Sequence, residues 1–165
     1  MGGRSSHGFA DRVIAAIAAR QFGVVSRRQL MEAGVTRRQI ERRLEAGRLH
    51  ALHLGVYLVG HQVPAPCARE MAALLACGEG AAVAINAGRI RLTHSRPSVV
   101  LSHRSAAAFW NLIPYPAPGD VCLTVPPGRN NDRSQIKVHR ANLAPRDIRR
   151  RRGMPLTSHL ARSST

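Results

Sequence analysis

Apolar positions recur at helical spacing in the first third of the chain and alternate at strand spacing after it. Val13, Ile14, Ile17 and Ala18 fall on one face of a helix predicted over Ala10 to Gln21, and Gly23 suits its C-terminal cap. Val24-Val25 predicts a very short strand. A second helix is predicted from Ser26 to Ala33, with Leu30 and Met31 inward and Gly34 as its stop. A third runs from Thr36 to Ala46 and stops at Gly47. Its inward stripe is Ile40 and Leu44, four apart, while Arg38 and Arg42 fall on roughly the opposite face. Leu49, Leu52, Leu54, Val56 and Leu58 then predict a strand pair with a tight bend near His53-Gly55.

The two short helices begin with the same phrase, Ser26-Arg27-Arg28-Gln29-Leu30 and Thr36-Arg37-Arg38-Gln39-Ile40. A hydroxyl residue followed three positions on by Gln is the capping box. The hydroxyl takes the Gln amide proton, and the Gln side chain returns to the cap amide. Only Ala33-Gly34-Val35 fits between the helices. Two short Arg-rich helices joined by a Gly-containing turn, followed by a small hairpin, give a winged helix-turn-helix over residues 1–62.

Val63-Pro64-Ala65-Pro66 reads as a linker. Beyond it, a helix is predicted from Cys67 to Ala76 with Met71, Leu74 and Leu75, ended by Gly78 and Gly80. Val83 to Ile85 and Arg89 to Leu92 predict strands around Asn86-Ala87-Gly88. Ser102 caps a helix from His103 to Asn111, whose apolar end is Phe109, Trp110 and Leu112. Pro114, Pro116 and Pro118 form a connector. Val121 to Val125 is a strand, Pro126 to Arg133 a polar turn, and Ile136 to His139 the expected antiparallel partner. Arg149 to Arg152 then lie in a tail without another long periodic segment. The fold class is α+β: an N-terminal winged helix-turn-helix followed by a small α/β domain over 63–165.

Charge adds a partner class. The chain has 165 residues and a formal charge of +16, from 25 Lys+Arg against 9 Asp+Glu, and 44% hydrophobic residues suffice for a core. An excess of this size predicts a polyanion, with nucleic acid first. Lys137 is the only Lys, so part of the Arg content reflects a GC-rich genome. The apolar run Val13 to Ala19 is too short to span a bilayer, its flanks do not make a signal peptide, and no lipidation signal is present. A cytoplasmic protein without membrane association is expected. Cys67, Cys77 and Cys122 make neither a disulfide framework nor a zinc site.

The third helix carries the candidate interface. As a recognition helix it places Arg37, Arg38 and Gln39 nearest the base edges and Arg42 near bases or phosphate. Arg bonds guanine and Gln bonds adenine in pairs, so these types suit direct readout. With flanking contacts, the expected DNA-binding set is Arg27, Arg28, Thr36, Arg37, Arg38, Gln39, Arg42, Arg43, Arg48 and His53. The competing reading is a solvated charged face, in which Glu41 and Glu45 pair with Arg37, Arg38 or Arg42. A winged helix also serves in places as a protein-docking module.

Catalysis finds little support. The nine acids are scattered and form no cation-holding cluster. His50 and His53 are poor co-ligands on a strand and read as surface histidines. Ser102-His103 reads as a helix cap rather than a nucleophile pair, since adjacent helical residues do not face one another and no Gly-x-Ser-x-Gly elbow is present. Gly78-Glu79-Gly80 is too short for a phosphate loop and reads as a helix stop. Arg149 to Arg152 reads equally as a phosphate-holding block or a solvated tail. Neither enzyme activity, a cofactor nor a metal is expected.

Several phrases together resemble a family: Ala18-Ala19-Arg20-Gln21-Phe22-Gly23-Val24-Val25-Ser26-Arg27-Arg28-Gln29-Leu30, Glu45-Ala46-Gly47-Arg48-Leu49-His50, Gly55-Val56-Tyr57, and Leu101-Ser102-His103-Arg104-Ser105-Ala106-Ala107-Ala108. They look like the AbiEi antitoxins of type IV toxin–antitoxin systems, in the form common in high-GC actinobacteria. The resemblance runs from about Ala10 to Ser158 with a break. It implies a winged helix that binds operator DNA and represses its own operon. It also implies a second domain that antagonises a nucleotidyltransferase-like toxin indirectly, without a stable toxin complex. The recognition-helix role falls on Arg37, Arg38, Gln39 and Arg42. Against the family pattern, this chain has an extra segment, about 84–99. It also lacks the very-short-patch-repair-like nuclease domain that follows Pro155-Leu156-Thr157-Ser158 in many relatives, as expected of a shortened or frameshifted product.

The leading expectation is therefore a sequence-specific, double-stranded-DNA-binding autoregulator. An alternative from the enzyme class is the DNA-targeting part of a truncated very-short-patch-repair-like endonuclease, without its catalytic domain. A third is an RNA or ribosome binder, which the 4% aromatic content disfavours. A homodimer is left open: helix-turn-helix proteins often dimerise on two-fold sites, but no dimer helix is evident.

Overall fold

The computed structural model describes residues 3–86, 89–115, 119–128 and 133–158, with side chains from residue 8 onward. The turn expected at 87–88, two of the connector prolines, residues 129–132 of the polar turn and the residues after 158 lie outside that description.

The chain forms two compact units, Met1–Ala76 with Gly80–Ser95, and Cys77–Glu79 with Arg96–Thr165. In the first, α1 (Gly3–Ala18) precedes β1 (Val24–Ser26), α2 (Arg27–Glu32), α3 (Arg37–Glu45), β2 (Leu49–His53) and β3 (Val56–Val59). Helix α1 thus starts and ends earlier than its apolar periodicity predicts. A turn closes it, with Phe22 and Gly23 both at positive φ and the Gly23 amide donating to the Ala18 carbonyl. Strands β1, β3 and β2 form an antiparallel sheet in that order. A bulge between Ala51 and His53 skews the β2–β3 ladder near its turn, where Gly55 takes φ +73°. Ala10, Val13, Ile14, Ile17, Val25, Leu30, Ile40, Leu49 and Tyr57 form one buried cluster. The predicted inward stripes fill this core, except that Met31 points outward and is 53% exposed.

Helix α4 (Ala68–Ala76) and the hairpin β4 (Ala82–Asn86) and β5 (Arg89–Thr93) also belong to this first unit. The boundary expected at 62/63 therefore does not coincide with the compact units. The reason is packing: α4 buries all of its residues but Arg69 and lies against β1, β2 and β3. Among the described residues β4 and β5 pair with each other alone, and Val83, Ile90 and Leu92 pack on the core cluster of the helix-turn-helix.

The second unit is a five-stranded mixed sheet, β6 (Val100–Leu101), β7 (Val121–Val125), β8 (Ile136–Arg140), β9 (Ile148–Arg151) and β10 (Met154–Thr157), in the order β8-β7-β6-β10-β9. Helix α5 (His103–Phe109) packs on β7 and β10. One expectation fails here. Strand β8 runs parallel to β7, Val121 opposite Ile136 and Val125 opposite Arg140, rather than antiparallel. Alternation of side chains marks a strand but carries no information on direction, and the ten residues between β7 and β8 are more than a tight hairpin turn needs. The arginine block, read equally as a phosphate-holding block or a solvated tail, is largely exposed but belongs to a strand. Arg149, Arg150 and Arg151 lie in the edge strand β9, opposite Leu156, Pro155 and Met154, and charge on an edge blunts pairing with other chains.

Glu79, read from the sequence as part of a helix stop, is buried. Its Oε2 accepts from the backbone amides of Ser98 and Val99 at 3.0 and 3.3 Å, and Oε1 lies 3.9 Å from Arg150 Nη2. Trp110 Nε1 donates to the Thr157 carbonyl at 2.9 Å, and the Arg151 guanidinium lies over the indole, 5.6 Å from its centre.

Candidate nucleic-acid interface

The two capping boxes form as their spacing requires. Ser26 Oγ accepts from the Gln29 amide and Gln29 Oε1 from the Ser26 amide, and Thr36 and Gln39 repeat the exchange. Both caps are extended, at ψ 150° and 155°, so each helix starts abruptly. Between them Gly34 takes φ +82°, a conformation that favours glycine, and the Val35 amide donates to the Leu30 carbonyl. Val35 is buried and pins the turn to the core.

Helix α3 is oriented by three anchors. Ile40 is fully buried, Leu44 packs at the edge of the core, and Arg43 turns inward. Arg43 Nε and Nη2 both donate to Asp11 Oδ1 of α1, at 2.9 and 2.7 Å, and Nη1 donates to the Gln39 carbonyl. The Arg43 side chain is only 5% exposed, so the structure removes it from the expected DNA-binding set. Its spacing of three from Ile40 puts it on the inward side of the helix, but no local pattern marks its partner, which lies 32 residues earlier. Asp11 is the residue that sequence reasoning missed. It also approaches Arg48, at 4.0 Å from Nη1.

With Arg43 inside, Arg38 and Arg42 stand exposed on the outer face of α3, and among the described residues neither is ion-paired. Arg37 is also exposed, but its Nε is 2.9 Å from Glu41 Oε1. The solvated-face reading is thus right for this one pair. Gln39 is half-buried, and its Oε1 is committed to the Thr36 amide. The helix end therefore uses one of the two groups with which Gln would read adenine. Thr36 Oγ1 is likewise a cap acceptor. Arg28 is exposed, 3.7 Å from Glu32. Arg27 is half-buried at the β2–β3 turn: its amide donates to the Gly55 carbonyl, and among the described residues its buried Nε has no hydrogen-bond partner. His53 is half-buried at the end of β2, while the wing tip itself is Leu54, 86% exposed.

The Ser102-His103 pair also departs from expectation. Ser102 makes no side-chain cap bond; its Oγ lies 3.1 Å from His103 Nδ1. Adjacent residues meet here because His103 takes φ +48° rather than a helical value. The His103 ring stacks on His139 with centroids 3.7 Å apart. Burial, then the neighbouring His103 and Lys137, hold the His139 imidazole below its ordinary value. Among the described residues no three His, Cys, Asp or Glu side chains come together to hold a metal ion, and no helix is long and apolar enough to cross a membrane.

The stretch that builds this interface has a counterpart among known families. Residues 12–60 match the family model described as transcriptional regulator, AbiEi antitoxin. The match spans the end of α1, both capped helices and the β2–β3 wing, which is the winged-helix, DNA-binding part of these regulators. No curated protein matches the chain.

Proposed function

We propose that this protein binds duplex DNA sequence-specifically and represses its own type IV toxin–antitoxin operon. One observation carries the reading: a doubly capped helix-turn-helix, locked by Arg43 and Asp11, presents the exposed Arg38 and Arg42 on the outer face of α3, within the stretch that matches the regulators. The mechanism is occupancy. Phosphate contacts from Arg27, Arg28, Arg48 and the His53 region of the wing supply affinity, and α3, with Thr36, Arg37, Arg38, Gln39 and Arg42, supplies sequence choice. Neutralised phosphates release counterions, so the binding falls with salt. In this reading the antagonism of a nucleotidyltransferase-like toxin is indirect, a homodimer reads a two-fold operator, and the protein acts in the cytoplasm.

The test is a salt series of binding measurements on the DNA upstream of the protein's own gene and on a scrambled duplex of equal length. Preference for the upstream DNA that survives moderate salt supports the regulator. Equal binding that vanishes with salt reduces the protein to a non-specific phosphate binder. In the same assay Arg38→Ala with Arg42→Ala is expected to abolish the preference in a folded protein. A folded double variant with undiminished preference refutes the placement.

A further inference from the structure

We infer that the β4–β5 hairpin is a second DNA-contacting arm, in which Arg89 and Arg91 hold the phosphate backbone of the same duplex. This rests on the DNA-binding reading above and extends it to a segment outside the stretch matched by the regulator family.

The hairpin has two unlike faces. Its register sets Val83 opposite Leu92 and Ile85 opposite Ile90 on one face, and Ala84 opposite Arg91 and Asn86 opposite Arg89 on the other. Val83, Ile90 and Leu92 pack on the core of the helix-turn-helix. Arg89, Arg91, Ala82, Ala84, Asn86 and Thr93 are exposed. Cross-strand pairs of opposite charge stabilise a solvated ribbon. Here the outward face carries two arginines and no acid, and their cross-strand neighbours are an alanine and an asparagine. Among the described residues neither guanidinium is ion-paired. Two residues apart on one strand face, the arginines stand about 7 Å from each other and can reach separate phosphates.

The arm is also fixed to the reading head. Gln29 of α2 donates through Nε2 to the Ala81 carbonyl at 3.0 Å, and Glu32 of α2 accepts the Val83 amide at 3.2 Å. These bonds tie the base of the hairpin to the helix that precedes the recognition helix. The ribbon and α3 therefore move as parts of one unit, and a two-stranded ribbon is of a size that a DNA groove admits. Charge complementarity commits the occupant: a face with two arginines and no carboxylate fits a polyanion backbone.

The experiment compares the full chain with Arg89→Ala/Arg91→Ala and Arg89→Lys/Arg91→Lys, on upstream and scrambled duplexes across a salt series. Thermal melts check that both variants stay folded, as expected for exposed side chains. If both arginines neutralise phosphates, the alanine variant has a log K against log salt slope shallower by about 1.8. It loses affinity on both duplexes alike, and the lysine variant restores the slope. A slope for the alanine variant equal to that of the native chain overturns the arm. The two readings fail separately: native protein that binds both duplexes equally refutes the operator reading, while the slope difference on either duplex still decides the hairpin.

Discussion

The side-chain amides of Gln21 and Gln29 face each other in a buried reciprocal pair, each Nε2 donating to the other's Oε1 at 3.0 and 2.8 Å. Gln29 does more than close its capping box. The same side chain accepts the Ser26 amide and donates to the Ala81 carbonyl, while Gln21 Nε2 also reaches the Val24 carbonyl. One fully buried side chain thus joins the end of α1, the start of α2 and the base of the β4–β5 hairpin.

Replacing Gln29 by Ala is expected to destabilise the first unit by about 2–4 kcal/mol, because several buried polar groups lose their partner at once. The same substitution at Gln39, the half-exposed counterpart, costs about 1 kcal/mol as an ordinary cap loss. Denaturant melts of the two variants check the difference. Equal losses contradict the role of the buried network.

Arg43→Ala and Arg42→Ala, neighbours on one helix, are expected to act oppositely. The first removes the bonds to Asp11 and to the Gln39 carbonyl and lowers stability by about 1–3 kcal/mol, the partial exposure of Asp11 softening the effect. The second leaves stability within about 0.5 kcal/mol and weakens DNA binding. Paired melts and binding isotherms separate them, and a stable, weak-binding Arg43→Ala protein contradicts the assignment.

His139 sets a pH dependence in the second unit. Its folded value lies below its ordinary 6.5, so the folded state takes up the proton less readily than the unfolded chain does. Stability is complete above about pH 6.5 and declines as the pH falls through the lower folded value. His139→Gln is expected to flatten that acid limb while changing little at pH 8. A native chain whose second unit melts identically at pH 5.5 and 7.5 rules this out.

Glu79→Gln tests the buried carboxylate of the second unit. A neutral amide oxygen still accepts a hydrogen bond from the Ser98 or Val99 amide, but more weakly than a charged one. Glu79→Ala leaves both amides without their acceptor. The alanine variant is expected to lose about 2–3 kcal/mol and the glutamine variant less, with hydrogen exchange at Val99 accelerated in both. Unchanged exchange contradicts the proposed anchoring.

What could be read from the sequence is what short-range chemistry dictates. The doubled capping boxes depend on four consecutive residues each, the Gly34 turn on one backbone conformation, and the Val121 to Val125 strand on its own run of residues. All are present where their local pattern puts them. Strand direction was not legible for β8, since alternation is the same either way. Nor were β9 and β10: Arg149 to Arg151 look like part of a tail until β10 pairs with them.

The sequence by itself determined the two helix starts, the turn between them, the wing bend at Gly55 and the basic character of α3, because each rests on neighbours within a few residues. The tertiary structure decided what Arg43 meets. Three positions after Ile40, it lies on the inward side of α3 by helical spacing, and Asp11, brought alongside by the packing of α1, receives its guanidinium. Tertiary packing likewise decided that α4 and the 82–93 hairpin belong with the helix-turn-helix: an apolar helix face and an alternating strand show that they need a partner surface, and only the folded chain selects which surface meets them.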